Sequence, residues 1–212
     1  MDLTKRRLWV LLPLLAALAL WLRAHPLTAE NIAARSPREM LPAAVFLLAL
    51  YAAKGVTMVL PLSALTAAGG LLFPFPAALA VNFCGTALTQ AGPYFLGRRH
   101  RMGLTDLTAR YPRLAALVGP AERRPGATVF LLRLGGAAPG DAVSWCLGAA
   151  GVPWTSYLSA GLLGSLPRLA AATALGGALW SVGSVRFWLS LAAGGGLTAL
   201  SLLLWMFLRK KW

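Results

Sequence analysis

The chain has 212 residues, of which 58% are hydrophobic and 12% are charged, and its mean hydropathy is +0.68. Soluble domains carry about 25% charged residues, so this composition excludes an ordinary soluble domain, and the chain is too apolar for disorder. Two cysteines are too few for a disulfide scaffold. What remains is an integral membrane protein with an unusual net charge of +14, from 20 Lys and Arg against 6 Asp and Glu.

The first apolar segment, 8–22, follows three consecutive basic residues. This order is typical of a cleaved signal peptide and equally of an uncleaved signal anchor. Trp21 and Arg23 disturb the small-residue pattern of a cleavage site, so a signal anchor is favoured. Residues 1–40 are therefore predicted to form an anchor helix and an outer loop.

The stretch 55–97 contains no charged residue, but helix-breaking residues interrupt it. They are Pro61, Gly69, Gly70 and the Pro-Phe-Pro sequence at 74–76. The apolar run before this stretch is shorter than the roughly 20 residues that cross the hydrocarbon as a helix. Two consecutive full spans are therefore not expected before residue 74.

We predict instead a re-entrant helical hairpin over 56–73, with 41–54 leading into it from the outer side. The segment 77–97 then crosses inward. Bent backbone at membrane depth is tolerated only where protein buries it or where it lines a wet cavity. A hairpin here favours a transport-like cavity.

A second hairpin is predicted over 130–150, entered from the inner side. The residues that interrupt a spanning helix there are Pro139, Gly140 and Gly148. The segment 153–180, which contains Pro167, is predicted to cross outward, and 187–208 is predicted to cross back.

The positive charge is concentrated in 1–7, 98–124 and 209–211, and the positive-inside rule places such segments in the cytoplasm. Four crossings and two hairpins satisfy this rule. The predicted fold is an all-α, multi-pass protein of the plasma membrane with both termini cytoplasmic. Its predicted parts are the anchor and outer loop (1–40), a membrane domain (41–180), and a last helix with a basic tail (181–212).

The two halves repeat one order of residues: a cation, a proline, glycines, a proline beside an aromatic residue, and a glycine in the next helix. In the first half these are Lys54, Pro61, Gly69-Gly70, Phe75-Pro76 and Gly85; in the second they are Arg133, Pro139, Gly148 with Gly151, Pro153-Trp154 and Gly164. Because the hairpins enter from opposite faces, this is an inverted repeat, which is the plan of many secondary transporters.

Several short motifs in this order resemble the DedA/VTT-domain superfamily, also called SNARE-associated Golgi proteins. They are Leu60-Pro61-Leu62-Ser63, Ala68-Gly69-Gly70-Leu71-Leu72-Phe73, Tyr94-x-x-x-Arg98 and Gly164-Ser165-Leu166-Pro167. The resemblance covers roughly residues 41–180. It implies movement of phospholipids or lipid-carrier phosphates. Family members usually carry an acidic residue in the first hairpin, linked to proton coupling, and this chain has Lys54 and no acid there.

Five charged residues are candidates for substrate binding, because ionisable groups inside a membrane are costly and mark functional sites. Arg168, in the middle of a span, is expected to contact a phosphate through paired hydrogen bonds. Arg133 is expected to do the same, or to extend to the inner interface. Lys54 is a second phosphate ligand or an outer-interface residue. Arg98 begins a basic loop whose charges also serve orientation and attraction to anionic lipid, and it is a candidate because of the Tyr-x-x-x-Arg motif.

Asp141 is the fifth candidate, and it is expected to pair with Arg133 or Arg168. Its carboxyl group either takes a proton in transport or serves as a structural ion-pair partner or helix cap.

The function favoured by these residues is a lipid transporter or scramblase for an anionic lipid. An intramembrane enzyme and a non-transporting scaffold are the alternatives; the chain has no His-Glu-x-x-His and no Gly-x-Ser-x-Gly motif, so no catalytic residue is assigned. No metal or cofactor is expected, membrane lipids rather than nucleic acid are the expected partners, and a homo-oligomer is possible.

Overall fold

A computed structural model describes residues 28–58, 60–100, 119–136 and 139–179, together with scattered positions between 185 and 206. The secondary structure of these residues is helical without strands, so the all-α prediction is confirmed for them. The predicted anchor at 8–22 and most of the predicted crossing at 187–208 lie outside the described residues.

Seven α-helices occur in the described part of the chain. They are α1 (Ala29–Ala34), α2 (Met40–Thr57), α3 (Leu62–Leu72), α4 (Phe75–Arg99), α5 (Pro125–Gly135), α6 (Gly140–Ala149) and α7 (Trp154–Ala178). A short 3-10 helix, Gly119–Glu122, precedes α5. Among the described helices, α2 and α7 are long and apolar enough to cross a membrane, by length and composition.

The helices α2 and α3 form the first hairpin, and α5 and α6 form the second. Each first leg ends at a residue with left-handed backbone, Met58 (φ 57°) or Gly136 (φ 58°). Each return leg starts behind a proline, Pro61 or Pro139, which suits a helix start because proline lacks a backbone N–H.

The first hairpin begins earlier than predicted. Its first leg starts at Met40, so the prediction that the hairpin begins at 56 was wrong. Segment 41–54 is part of that leg, because Pro42, the proline within α2, lies in the first turn, where a helix tolerates proline. The second hairpin, at 125–149, agrees with the predicted 130–150.

The two long helices α4 and α7 lie antiparallel, as two contacts at their opposite ends show. Near the start of α4, the Asn82 side chain donates to the Thr173 hydroxyl at 2.9 Å. Further along α4, the Gln90 carbonyl accepts from the Tyr157 hydroxyl at 3.2 Å, near the start of α7. The residues follow opposite orders along the two helices, as the predicted inverted repeat requires.

Each hairpin divides its contacts between the two long helices. The first legs α2 and α5 pack on α4 and α7, the long helices of their own halves. The return legs cross over, so that α3 packs on α7 and α6 packs on α4. The hairpins therefore approach the long-helix pair from opposite ends, and their tips meet in the middle.

Two equivalent glycines permit this crossing. Gly70 and Gly148 each lie nine residues after the proline that starts their return leg. A Cβ at Gly70 would collide with the Thr173 carbonyl oxygen, and a Cβ at Gly148 would collide with the Tyr94 carbonyl oxygen. The predicted repeat thus appears in the packing as well as in the order of residues.

Gly148→Ala is expected to destabilise the fold by about 1–3 kcal/mol, because the α6 and α4 backbones would have to separate. Gly126→Ala is the matched control, since nothing lies within 4 Å of a Cβ there and alanine favours a helix. The measurement is the thermal unfolding midpoint of each purified variant in detergent. Equal midpoints for the two variants would contradict the close packing of α6 on α4.

Candidate functional site

A cavity of about 570 Å³ lies where the hairpin tips meet the long helices. Its volume falls within the roughly 300–1,000 Å³ range of ligand-binding sites. Residues of both hairpins and both long helices line it, including four predicted site residues: Lys54, Arg133, Asp141 and Arg168. The structure therefore assembles in one place charges that are widely separated in the sequence.

An ion pair between Lys54 and Asp141 joins the two hairpin tips, with Lys54 Nζ 2.6 Å from Asp141 Oδ2. Lys54 lies in the last turn of α2 and Asp141 in the first turn of α6. Each charge therefore also interacts favourably with the dipole of its own helix. Lys54 is buried and the Asp141 side chain is one-third exposed.

This pair corrects two expectations. Asp141 was predicted to pair with Arg133 or Arg168, and that prediction was wrong because the crossing of the hairpins brings Lys54 to it. The interpretation of Lys54 as an outer-interface residue was also wrong, since its side chain is buried against the second hairpin.

Arg133 is buried in the last turn of α5 and contacts neutral groups. Nη2 donates to the Ser144 hydroxyl at 2.6 Å and to the Tyr157 hydroxyl at 3.0 Å, and Nη1 donates to the Gly140 carbonyl at 3.3 Å. Its Nε has no partner. The side chain is held among polar groups without a carboxylate, so the alternative of extension to the interface was wrong.

Arg168 follows Pro167 within α7, at the tip of the second hairpin. Its Nη1 lies 3.0 Å from the point where a Cβ on Gly136 would stand. Its side chain is exposed, and it forms no hydrogen bond or ion pair with the described residues. Arg168 is thus available to a ligand in the cavity.

The charges that line the cavity do not balance. Lys54, Arg133 and Arg168 face a single carboxylate, Asp141, among the lining residues. The repeat shows where a second carboxylate is lacking: Asp141 is the second residue of α6, and the second residue of α3 is Ser63. An anion that enters the cavity would meet two positive charges without a described counter-charge.

Arg98 is not part of this cavity. It is exposed near the end of α4, where its Nη1 donates to the Tyr94 hydroxyl at 3.0 Å. That hydroxyl in turn donates to the Val152 carbonyl just before α7. In this chain the Tyr-x-x-x-Arg motif therefore connects the end of α4 to the start of α7.

Sequence reasoning missed a set of uncharged polar residues in the cavity. They are Ser63, Thr66, Thr86, Thr89, Gln90, Ser144 and Ser165. One sequence feature could have revealed those on α4: positions 82, 86, 89 and 90 of an otherwise apolar helix are polar, and their spacing places them on one helix face.

The protein is an inverted-repeat helical protein. Its two hairpins approach an antiparallel pair of long helices from opposite ends and surround a charged cavity. The VTT domain matches residues 60–179, more than half of the chain. The chain therefore belongs to this family, the DedA or SNARE-associated Golgi protein family, and is a membrane protein of the DedA type, which confirms the resemblance. No curated protein and no solved structure matches the chain.

Lys54→Met is expected to destabilise the protein by about 1–3 kcal/mol, because it leaves the partly buried Asp141 carboxylate without its partner. Asp141→Leu is expected to do the same by stranding the Lys54 ammonium group. The double variant should recover part of the loss, and a thermal unfolding cycle in detergent measures this coupling. Strictly additive losses would contradict the ion pair.

The two buried side-chain amides on α4, Asn82 and Gln90, differ in their hydrogen bonding. Asn82 Oδ1 accepts from the Tyr51 hydroxyl at 2.8 Å, and Nδ2 donates to the Thr66 carbonyl at 2.9 Å. Gln90 is equally buried, but its Oε1 and Nε2 have no partner. Burying an amide that has no hydrogen-bond partner costs free energy of folding. Removing an amide that is hydrogen-bonded leaves its partners buried without hydrogen bonds, which also costs free energy.

Asn82→Leu is therefore expected to destabilise the fold by about 1–3 kcal/mol, whereas Gln90→Leu is expected to be neutral or stabilising. Thermal unfolding of both variants in detergent, without added lipid, tests the contrast. An equal loss in the two variants would show that the Gln90 amide is paired within the protein.

Proposed function

We propose that this protein moves an anionic phospholipid or a lipid-carrier phosphate between the leaflets of the plasma membrane. The observation that carries the proposal is the excess of two positive charges among the residues that line the cavity. Charges inside a membrane are costly without a counter-ion, and a phosphate group in the cavity would supply one.

Arg168 and Arg133 are the proposed phosphate ligands. A guanidinium group binds phosphate through two parallel hydrogen bonds, which gives geometric selectivity as well as energy. Arg168 forms no hydrogen bond or ion pair with the described residues, so it is the proposed two-hydrogen-bond ligand. Arg133 already donates to Gly140, Ser144 and Tyr157, so it would attract the phosphate by its charge. The headgroup would enter the cavity while the acyl or prenyl chains stay in the bilayer.

Lys54 has a different proposed role because Asp141 already holds its ammonium group. An incoming phosphate would compete with Asp141 for Lys54 and thereby weaken the contact between the two hairpin tips. Substrate binding would then favour separation of the hairpins. In inverted-repeat transporters such rocking of one half against the other opens the site to alternate sides.

The proposed membrane arrangement retains the predicted four crossings and two re-entrant hairpins, with both termini in the cytoplasm. Although α2 is long enough to cross a membrane, it is proposed as the first leg of a hairpin, because its end at Lys54 meets the tip of the second hairpin. Large apolar side chains on the outer surface support burial in lipid. Examples are Leu41, which is 76% exposed, and Val56, which is 81% exposed. A surface of this kind would be unfavourable in water.

The proposal is tested by reconstitution into liposomes that carry a fluorescent anionic phospholipid or polyprenyl phosphate. Wild-type protein should accelerate exchange between leaflets, and Arg168→Gln should slow it by about tenfold or more, since hydrogen bonds to charged groups contribute about 1.5–3 kcal/mol. Accessibility of the label to a membrane-impermeant quencher measures the exchange, and a pH gradient tests proton coupling.

Arg38→Gln is the matched control, because Arg38 is exposed just before α2 and is not one of the residues that line the cavity. Its exchange rate should equal that of the wild type. Wild-type liposomes that behave like empty ones with every anionic lipid, or an Arg168→Gln variant as fast as Arg38→Gln, would reject the proposed function.

A further inference from the structure

We propose that the cavity contains a second subsite, which binds the hydroxyl groups of a lipid headgroup. Its substrate would then be a phosphodiester lipid whose headgroup alcohol carries free hydroxyls, rather than a bare phosphate monoester. This inference rests on the proposed function, because it names the substrate class for the same cavity. Four hydroxyl side chains and one amide carry it.

Each of the four hydroxyl groups donates a hydrogen bond to a backbone carbonyl. Thr66 Oγ1 donates to the Ser63 carbonyl at 3.0 Å, and Thr86 Oγ1 donates to the Asn82 carbonyl at 2.7 Å. Thr89 Oγ1 donates to the Thr86 carbonyl at 2.9 Å, and Ser165 Oγ donates to the Gly161 carbonyl at 2.8 Å.

A hydroxyl group has one proton to donate and two lone pairs that accept. When the hydroxyl proton is already in a hydrogen bond to a carbonyl, the oxygen can only accept a further hydrogen bond. This part of the lining therefore repels the oxygens of a phosphate and attracts O–H donors. A phosphate at Arg133 and Arg168 would leave the attached alcohol to contact the acceptors.

Gln90 supplies the independent observation. It lines the same cavity and is 4% exposed, and neither its Oε1 nor its Nε2 has a partner. Buried amides are nearly always paired, so an unpaired one requires an explanation. Both atoms are enclosed in this structure, and Oε1 lies 2.7 Å from the point where a Cβ on Gly161 of α7 would stand. The proposal therefore includes a rotation of the Gln90 side chain towards the cavity, where a ligand hydroxyl would satisfy both atoms by donating to Oε1 and accepting from Nε2.

Other ligand groups fit this amide less well. An ionised phosphate oxygen could accept from Nε2 but could not donate to Oε1, and the positive charges of the cavity keep a phosphate ionised. An ammonium group could donate but not accept. A sodium ion would find oxygen ligands here, but the positive excess in the cavity opposes a further cation. The combination of acceptors and one amide selects a neutral hydroxyl.

The test compares two short-chain lipids with the same phosphodiester charge: phosphatidylglycerol, which has two headgroup hydroxyls, and phosphatidylmethanol, which has none. Binding is measured by the rise in thermal midpoint of the detergent-solubilised full chain as each lipid is titrated. We expect phosphatidylglycerol to bind about tenfold more tightly to the wild type. Equal affinities would overturn the proposal.

Gln90→Leu and Thr89→Val should each reduce this affinity ratio towards one. Thr89→Val preserves the shape of the side chain, so it keeps the test valid should Gln90→Leu alter the packing of α4. Arg168→Gln should instead weaken both lipids and leave the ratio intact. An unchanged ratio in Gln90→Leu and Thr89→Val would overturn the subsite.

Two further outcomes separate this proposal from others. Lipid binding with the expected ratio but without exchange in liposomes would reject transport and retain the subsite. A preference for phosphatidylglycerol that requires sodium, and disappears when potassium replaces it, would assign the hydroxyl oxygens to a cation and overturn the proposal.

Discussion

The close contact between each return leg and the opposite long helix is the constraint on which this architecture depends. Gly70 lies against the α7 backbone and Gly148 against the α4 backbone, at equivalent positions of the two halves. Because a side chain at either position would separate the helices, these glycines allow each return leg to lie directly against the backbone of the opposite long helix. With both hairpins packed closely on the same pair of long helices, their tips meet and Lys54 reaches Asp141.

The meeting of the tips concentrates charge in one place. The helix dipoles stabilise Lys54 and Asp141 individually, and their ion pair stabilises them together. Arg133 is held by a carbonyl and two hydroxyls, and Arg168 is left accessible beside Gly136. The inverted repeat is therefore symmetric in backbone but asymmetric in charge, and this asymmetry makes the cavity suitable for an anion.

Much of the fold could be predicted because the breaking residues act locally. Pro74 and Pro153 precede α4 and α7, so both long helices lie within about two residues of their predicted bounds. The start of the first hairpin was misplaced because the charge on Lys54 suggested that the apolar segment ended there. An ionised lysine can lie inside the fold when a carboxylate compensates it, and that carboxylate comes from the other half of the chain.

The sequence by itself determined the helical class, the two hairpins, the repeat and the four charged residues that line the cavity, because these follow from composition, breaking residues and the rarity of charge in apolar segments. The tertiary structure decided the partners: Asp141 pairs with Lys54, 87 positions away, and Arg98 stays outside the cavity. It also showed that the Gln90 amide has no hydrogen-bond partner and that neighbouring hydroxyls donate to backbone carbonyls. These side-chain partners depend on which faces of the helices pack together, and no local sequence pattern specifies that packing.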